Sequence, residues 1–157
     1  MQTIKQRLKN FFGKASEQKE TLLFLDDLRI PREVFKYTGN DIYRKKKWHI
    51  VRDAEEFIYW IESFGLPDLI SFDHDLADTH YTPPHLWDNY EASKAWQDKQ
   101  KHKEKTGYDC AKWLINYCQN TGQKLPEYLI HSMNPVGADN IRYLLINYEN
   151  FIEKANL

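Results

Sequence analysis

Four apolar runs in this chain stop abruptly at charged or polar side chains: TLLFLDD (21–27), WHIVR (48–52), PDLISFD (67–73) and PEYLIHS (126–132). Runs this short, bounded by such breaks, predict buried β-strands. Amphipathic segments lie between and after them. DAEEFIYWIESFG predicts a helix with Asp53 as N-cap, Glu56 at the capping-box position and Gly65 as the stop. TGYDCAKWLINYCQNTG (106–122) predicts a second, begun near Thr106 or Asp109 and ended by Gly122, with Ala111, Leu114, Ile115 and Cys118 on one face. GADNIRYLLINYENFI (137–152) predicts a third, with Ile141, Leu144, Leu145, Tyr148, Phe151 and Ile152 on one stripe. Strands alternating with such helices imply right-handed crossovers. The expected fold is α/β with three layers: a parallel sheet of four or five strands and helices on both faces.

A length of 157 residues suits one domain with a single core, and a hydrophobic content of 41% excludes disorder. The net charge of −1 creates no global field toward nucleic acid or anionic membranes. DNA duplex binding is therefore not expected, and an anionic ligand has to be held by local groups. Cys110 and Cys118 fall on one helical segment about 12 Å apart, beyond disulfide reach, and read as buried thiols in a reducing compartment. No signal peptide and no apolar run of about 18 residues is seen. The expectation is a cytoplasmic protein without a membrane span.

Two segments interrupt the rhythm. In residues 1–20, Ile4, Leu8, Phe11 and Phe12 recur at helical spacing among Lys5, Arg7 and Lys9. This predicts a basic amphipathic extension that packs on the domain, with a membrane or partner contact as the alternative. Residues 21–157 make up the α/β domain. Within it, residues 77–105 contain Pro83, Pro84, Trp87, Trp96 and the polar run QDKQKHKEK. So long a connection between strand and helix is a candidate lid, with DNYEASKAWQDKQKHKEK as an exposed helix.

Open parallel sheets bind ligands beyond the carboxyl ends of their strands. Here those ends carry Asp26, Asp27 and Arg29; Arg52; Asp73, His74 and Asp75; and His131, Ser132 and Asn134. Asp26 or Asp27 together with Asp73 and Asp75 would form an oxygen-rich cage for a hard cation such as Mg²⁺ or Mn²⁺. Asp73 and Asp75 point to one side if the strand persists that far. Arg29 and Arg52 can hold phosphate oxygens bidentately. Asp73, His74 and His131 are the candidate catalytic residues, the two imidazoles as metal ligands or acid–base groups. Ser132 and Asn134 sit where the amides of a helix N-terminus can receive an anion. Structural alternatives stand beside these roles: Asp75 as a turn residue, His131 as a hydrogen-bonded strand residue, Arg29 as the partner of a neighbouring acid. Asp109 reads as a helix cap. His49, His80, His85 and His102 lack partners at a recognisable spacing. Zinc-finger spacing and a Gly-rich phosphate loop are both absent from the sequence.

Taken together and in order, LFLDDLRIP, WHIVRDAEEF, LISFDHDL, TGYDCAKWL and IHSMNPVGADNI resemble the cyclic-phosphate-processing receiver-like family over residues 21–150. The resemblance implies a flavodoxin-like sheet derived from the response-regulator receiver domain, acting on cyclic phosphates or related nucleotides. It aligns Asp26 and Asp27 with the acidic pair that holds a divalent cation in receivers, and Asp73 with the phosphate-accepting aspartate that ends their third strand. His131 and Ser132 stand where receivers place a small hydroxyl residue. A fifth strand with its lysine is not evident, and His74, Asp75 and HSMNP are additions to the receiver pattern.

Two readings follow. In one, the protein is a metal-dependent phosphoesterase acting on a small nucleotide or cyclic-phosphate ligand, including the cyclic end of an RNA. In the other, it is a non-catalytic module: a receiver-type switch phosphorylated at Asp73, or a pocket that sequesters a nucleotide. The missing lysine counts against the switch.

Overall fold

Strand β1, Leu22–Leu25, is buried along its whole length. In the computed structural model, which describes residues 19–77, 83–86, 88–100 and 105–156, it lies inside the sheet. The sheet order is β2-β1-β3-β4, with β2 at His49–Val51, β3 at Leu69–Phe72 and β4 at Glu127–Ile130, and every pairing is parallel. Among the described residues the sheet therefore has four strands. β1 and β3 are central and buried on both faces, apolar but for Ser71, which is what a sheet covered on both sides demands.

The helices are α1 Pro31–Thr38, α2 Ile42–Lys45, α3 Ala54–Phe64, α4 Tyr90–Gln100, α5 Gly107–Thr121 and α6 Pro135–Ala155. One sheet face packs Leu23, Leu25, Ile70 and Phe72 against Phe57 and Ile61 of α3, Leu114 and Cys118 of α5, and Ile141 and Leu145 of α6. The opposite face packs Leu22, Phe24 and Leu69 against Val34 of α1, Tyr43 of α2 and Trp48. Each fully buried Leu, Ile or Phe contributes roughly 1.5–3 kcal/mol to holding these layers together. The result is the three-layer, flavodoxin-like arrangement expected from the alternation of strands and helices.

Local signals explain most boundaries. Asp53 accepts the Glu56 amide and caps α3, but the Glu56 carboxylate reaches the Arg52 amide at 2.8 Å instead of closing a capping box on Asp53. Thr106 and Asp109 form a reciprocal capping box at the start of α5, and Gly122 ends it at φ 66°. Helix α6 begins two residues before the predicted start, at Pro135, with Asn134 as its N-cap. α1 and α2 were not anticipated. Pro31 opens α1, Glu33 accepts the Ile30 amide at 2.9 Å, and Gly39 closes the helix in the left-handed region. In the 77–105 segment, the expected exposed helix is present as α4, preceded by a short 3₁₀ turn, Pro84–Leu86. Residues 1–18, and Trp87, His80 and His102, lie outside the described residues.

Candidate functional site

The strand register puts four chain segments level at one edge. Leu25 pairs with Val51 and with Phe72, and Phe72 pairs with Ile130. The next residue on each strand is therefore Asp26, Arg52, Asp73 or His131. The ladder continues one step further, through the Asp26 amide to Val51 O at 3.2 Å, Asp73 to Leu25 O at 2.9 Å and His131 to Phe72 O at 2.9 Å. Side chains at matched positions of a parallel sheet share a face, so Asp26, Asp73 and His131 stand together, on the side covered by α1 and α2.

The β1–α1 turn is built on Asp26. Its Oδ1 accepts the amides of Leu28 at 3.0 Å and Arg29 at 2.7 Å. Its Oδ2 accepts Arg29 Nε at 2.9 Å and lies 3.1 Å from His131 Nε2. Burial opposes the Asp26 charge. The His131 bond, the two amides and the Arg29 charge outweigh it, so the carboxyl is held below its ordinary range. Asp73 goes the other way: burial and the neighbouring Asp26 charge raise it, against the pull of Arg29. Burial would lower the pKa of Arg29, but Asp73 and Asp26 reverse that and raise it, keeping it a permanent cation.

Arg29 also reaches Asp73. Its Nη2 sits 2.9 Å from Asp73 Oδ2, close enough for an ion pair. That contact is not aligned as a hydrogen bond, and Asp73 Oδ2 is buried without one. Asp73 Oδ1 is held by the His74 amide at 2.8 Å. One oxygen each of Asp26, Asp27 and Asp73 lie within 4.8 Å of one another, a grouping that could hold a metal ion. Three convergent carboxylates, one with a buried oxygen lacking a hydrogen bond, suit a hard divalent cation.

Asp75 is not part of that grouping. Strand β3 ends at Phe72, so the alternation that would have aligned Asp73 with Asp75 does not continue. Asp75 instead takes His74 Nδ1 at 2.7 Å and faces Asn134 Nδ2 at 3.4 Å. Asn134 is spent on structure at its other end too, its Oδ1 capping the Gly137 amide at 3.0 Å. Ser132 Oγ accepts the Asn134 amide at 3.1 Å. Arg52, expected on phosphate, directs Nη1 to the carbonyls of Asp26 at 3.0 Å and Arg29 at 2.7 Å, clasping the β1–α1 turn.

His131 is buried and both ring nitrogens are engaged. Nε2 faces Asp26, and Nδ1 lies 2.6 Å from Ser71 Oγ, itself 2.7 Å from Tyr43 OH. The ring stacks on Phe24 at 4.5 Å and 6°. Tyr37 donates to the His131 carbonyl at 2.6 Å and accepts Arg29 Nη1 at 2.9 Å. Burial pushes the Tyr37 hydroxyl up to about 12. Ser71, Tyr43 and Tyr37 were not read as site residues. Ser71 carried a signal, being a lone hydroxyl in an apolar strand. The tyrosines carried none, because α1 and α2 were not foreseen.

Two glycines shape the Asp73–His74 turn. A Cβ on Gly107 would come 1.8 Å from the Asp73 carbonyl oxygen, and the Gly107 amide donates to His74 O at 2.8 Å. A Cβ on Gly137 would come 2.3 Å from His74 Cγ. The N-terminal turns of α5 and α6 thus press on the turn from two sides; at Gly107 the obstacle is backbone and only glycine permits the approach, whereas at Gly137 it is the His74 ring, which would have to move.

A parallel sheet with an acidic pair ending its first strand and a buried aspartate ending its third defines a receiver-like domain. The profile described as "Cyclic-phosphate processing Receiver domain" matches residues 21–147, and the chain belongs to that family. No curated protein and no solved structure matches the chain significantly. Among the described residues, no helix is long and apolar enough to cross a membrane.

Proposed function

We propose that the protein is a divalent-metal-dependent phosphoesterase that opens a small cyclic phosphate, free or at the end of a nucleotide or RNA. The convergence of Asp26, Asp27 and Asp73, with Arg29 between two of them, carries this reading. These three carboxylates would hold Mg²⁺ or Mn²⁺. Such an ion polarises a phosphoryl oxygen and acidifies a bound water.

The chain's own residues supply the rest. Arg29 offsets charge that develops on the phosphoryl oxygens. His74 is the better proton carrier of the two histidines. Asp75 orients its Nδ1, which leaves Nε2 to deliver a proton to the leaving oxygen. His131 has both nitrogens committed inside the fold and serves to fix Asp26. Ser132 keeps its hydroxyl proton to donate to an anion.

The test is hydrolysis of a panel of cyclic nucleotides and 2′,3′-cyclic phosphate ends with Mg²⁺ or Mn²⁺, beside Asp73→Asn. Release that requires the cation and Asp73 supports the reading. Binding of a panel member with no release overturns it in favour of sequestration. A stable acyl phosphate formed from acetyl phosphate and lost in Asp73→Asn would favour a receiver-type switch.

A further inference from the structure

We propose that Arg29 is the resident counter-cation of the carboxylate cluster, which a divalent cation displaces so that the guanidinium becomes available to the phosphate of the substrate. This rests on the metal-dependent reading above and adds an order of events to it.

Three observations carry it. First, the Nε–Nη2 edge of Arg29 is turned onto the two acids, Nε to Asp26 Oδ2 at 2.9 Å and Nη2 in an ion pair with Asp73 Oδ2 at 2.9 Å, while Nη1 donates to Tyr37 OH at 2.9 Å. In this arrangement that edge is not available to a phosphate for side-on bidentate binding. Second, the oxygens it takes are not the ones that the main chain holds in place. Asp26 Oδ1 is pinned by the Leu28 and Arg29 amides, and Asp73 Oδ1 by the His74 amide, so each acid keeps its place without the guanidinium. Third, the Arg29 main chain is tied down separately, by its amide to Asp26 and its carbonyl to Arg52. Only the side chain has to move, and it is already 22% exposed. A guanidinium and a divalent cation that compete for Asp26 and Asp73 are linked reciprocally. Cation binding therefore releases Arg29, and removing Arg29 strengthens cation binding.

The experiment uses the full chain. Calorimetry with Mn²⁺ alone compares wild type with Arg29→Gln. The expected result is at least ~10-fold tighter binding to the variant, within the usual range of site–site coupling. In wild type, NMR follows the Arg29 Nε–H resonance. It should be protected from solvent exchange without metal, lose that protection on saturation with Mg²⁺, and then shift on addition of inorganic phosphate. Equal or weaker Mn²⁺ binding by Arg29→Gln means that Arg29 only organises the acids, and overturns the proposal. Retention of Nε–H protection in the Mg²⁺-saturated wild type overturns it even if the variant does not fold. Failure of wild type to bind either cation overturns the metal-dependent reading itself, and the exchange with it.

Discussion

His131 and Asp26 stand 105 positions apart in the chain, yet Nε2 of one lies 3.1 Å from Oδ2 of the other, both fully buried. The contact ties the first strand to the last across the intervening β3. His131→Ala would remove a ring stacked on Phe24 and leave both Asp26 and Ser71 short of a partner. The expected cost is about 3 kcal/mol, combining cavity and hydrogen-bond losses. His131→Gln restores an amide N–H toward Asp26 and should recover a large part of both stability and activity. Urea unfolding and turnover of the two variants check this. A histidine that carried the substrate's proton would give no recovery of turnover with glutamine.

Asp73 is expected to trade stability for function. Burial and the Asp26 charge raise its carboxyl above the usual value of 3.8. Between that value and its raised one, the folded chain keeps a proton that the unfolded chain has lost. Stability contributed by Asp73 is therefore greatest below the ordinary carboxylate range and is lost as pH rises through the raised value. Asp73→Asn removes the penalty. It should be more stable than wild type at neutral pH without metal, by ~1 kcal/mol, while losing divalent-cation binding. Thermal unfolding at acidic and neutral pH should show the gain at neutral pH only.

Asp26 has the opposite sign. Its carboxyl is lowered, so its contribution is complete above the ordinary carboxylate range and lost as pH falls through the depressed value. Acid unfolding of wild type should therefore extend below the ordinary range, and Asp26→Asn should flatten that limb. A titration of stability between neutral pH and the acid limit separates the two aspartates by the direction of their slopes.

Arg52 was expected to grip phosphate, and the structure uses Nη1 to clasp the Asp26 and Arg29 carbonyls. Arg52→Met should lower stability by about 1–2 kcal/mol, the scale of losing charged hydrogen bonds at a half-buried turn. A phosphate-holding role alone would leave the melting temperature unchanged, so differential scanning calorimetry distinguishes the two.

What could be read in the sequence follows from the range of the interactions. β1 and β3 were legible because burial on both faces leaves an uninterrupted apolar run, and the acids that end them mark the sheet edge. Asp53, Thr106 and Gly122 were legible because capping is local. Three things were not. The short helices α1 and α2 lack a long apolar period, although Pro31 and Gly39 bracket α1. Asp75 was placed by extending strand alternation beyond Phe72, where the backbone turns. Ser71, Tyr43 and Tyr37 join the site only through contacts across the α1–α2 face, which no local pattern encodes.

Gly107 and Gly137 allow the two sides of the Asp73–His74 turn to be tested separately. At Gly107 the obstacle to a Cβ is backbone, the Asp73 carbonyl oxygen, which cannot swing away. Gly107→Ala should cost about 3 kcal/mol or more and disturb the carboxylates with the fold. At Gly137 the obstacle is the His74 ring, which can rotate if its bond to Asp75 yields. Gly137→Ala should therefore fold, bind Mn²⁺ as wild type does, and lose turnover by on the order of 100-fold, the usual penalty for an angstrom-scale displacement of a reacting group. Substrates with a better leaving group need less protonation, so their turnover should fall much less. If Gly137→Ala instead slows good and poor leaving groups alike, His74 does not deliver the proton, and the acid must be sought elsewhere at the sheet edge.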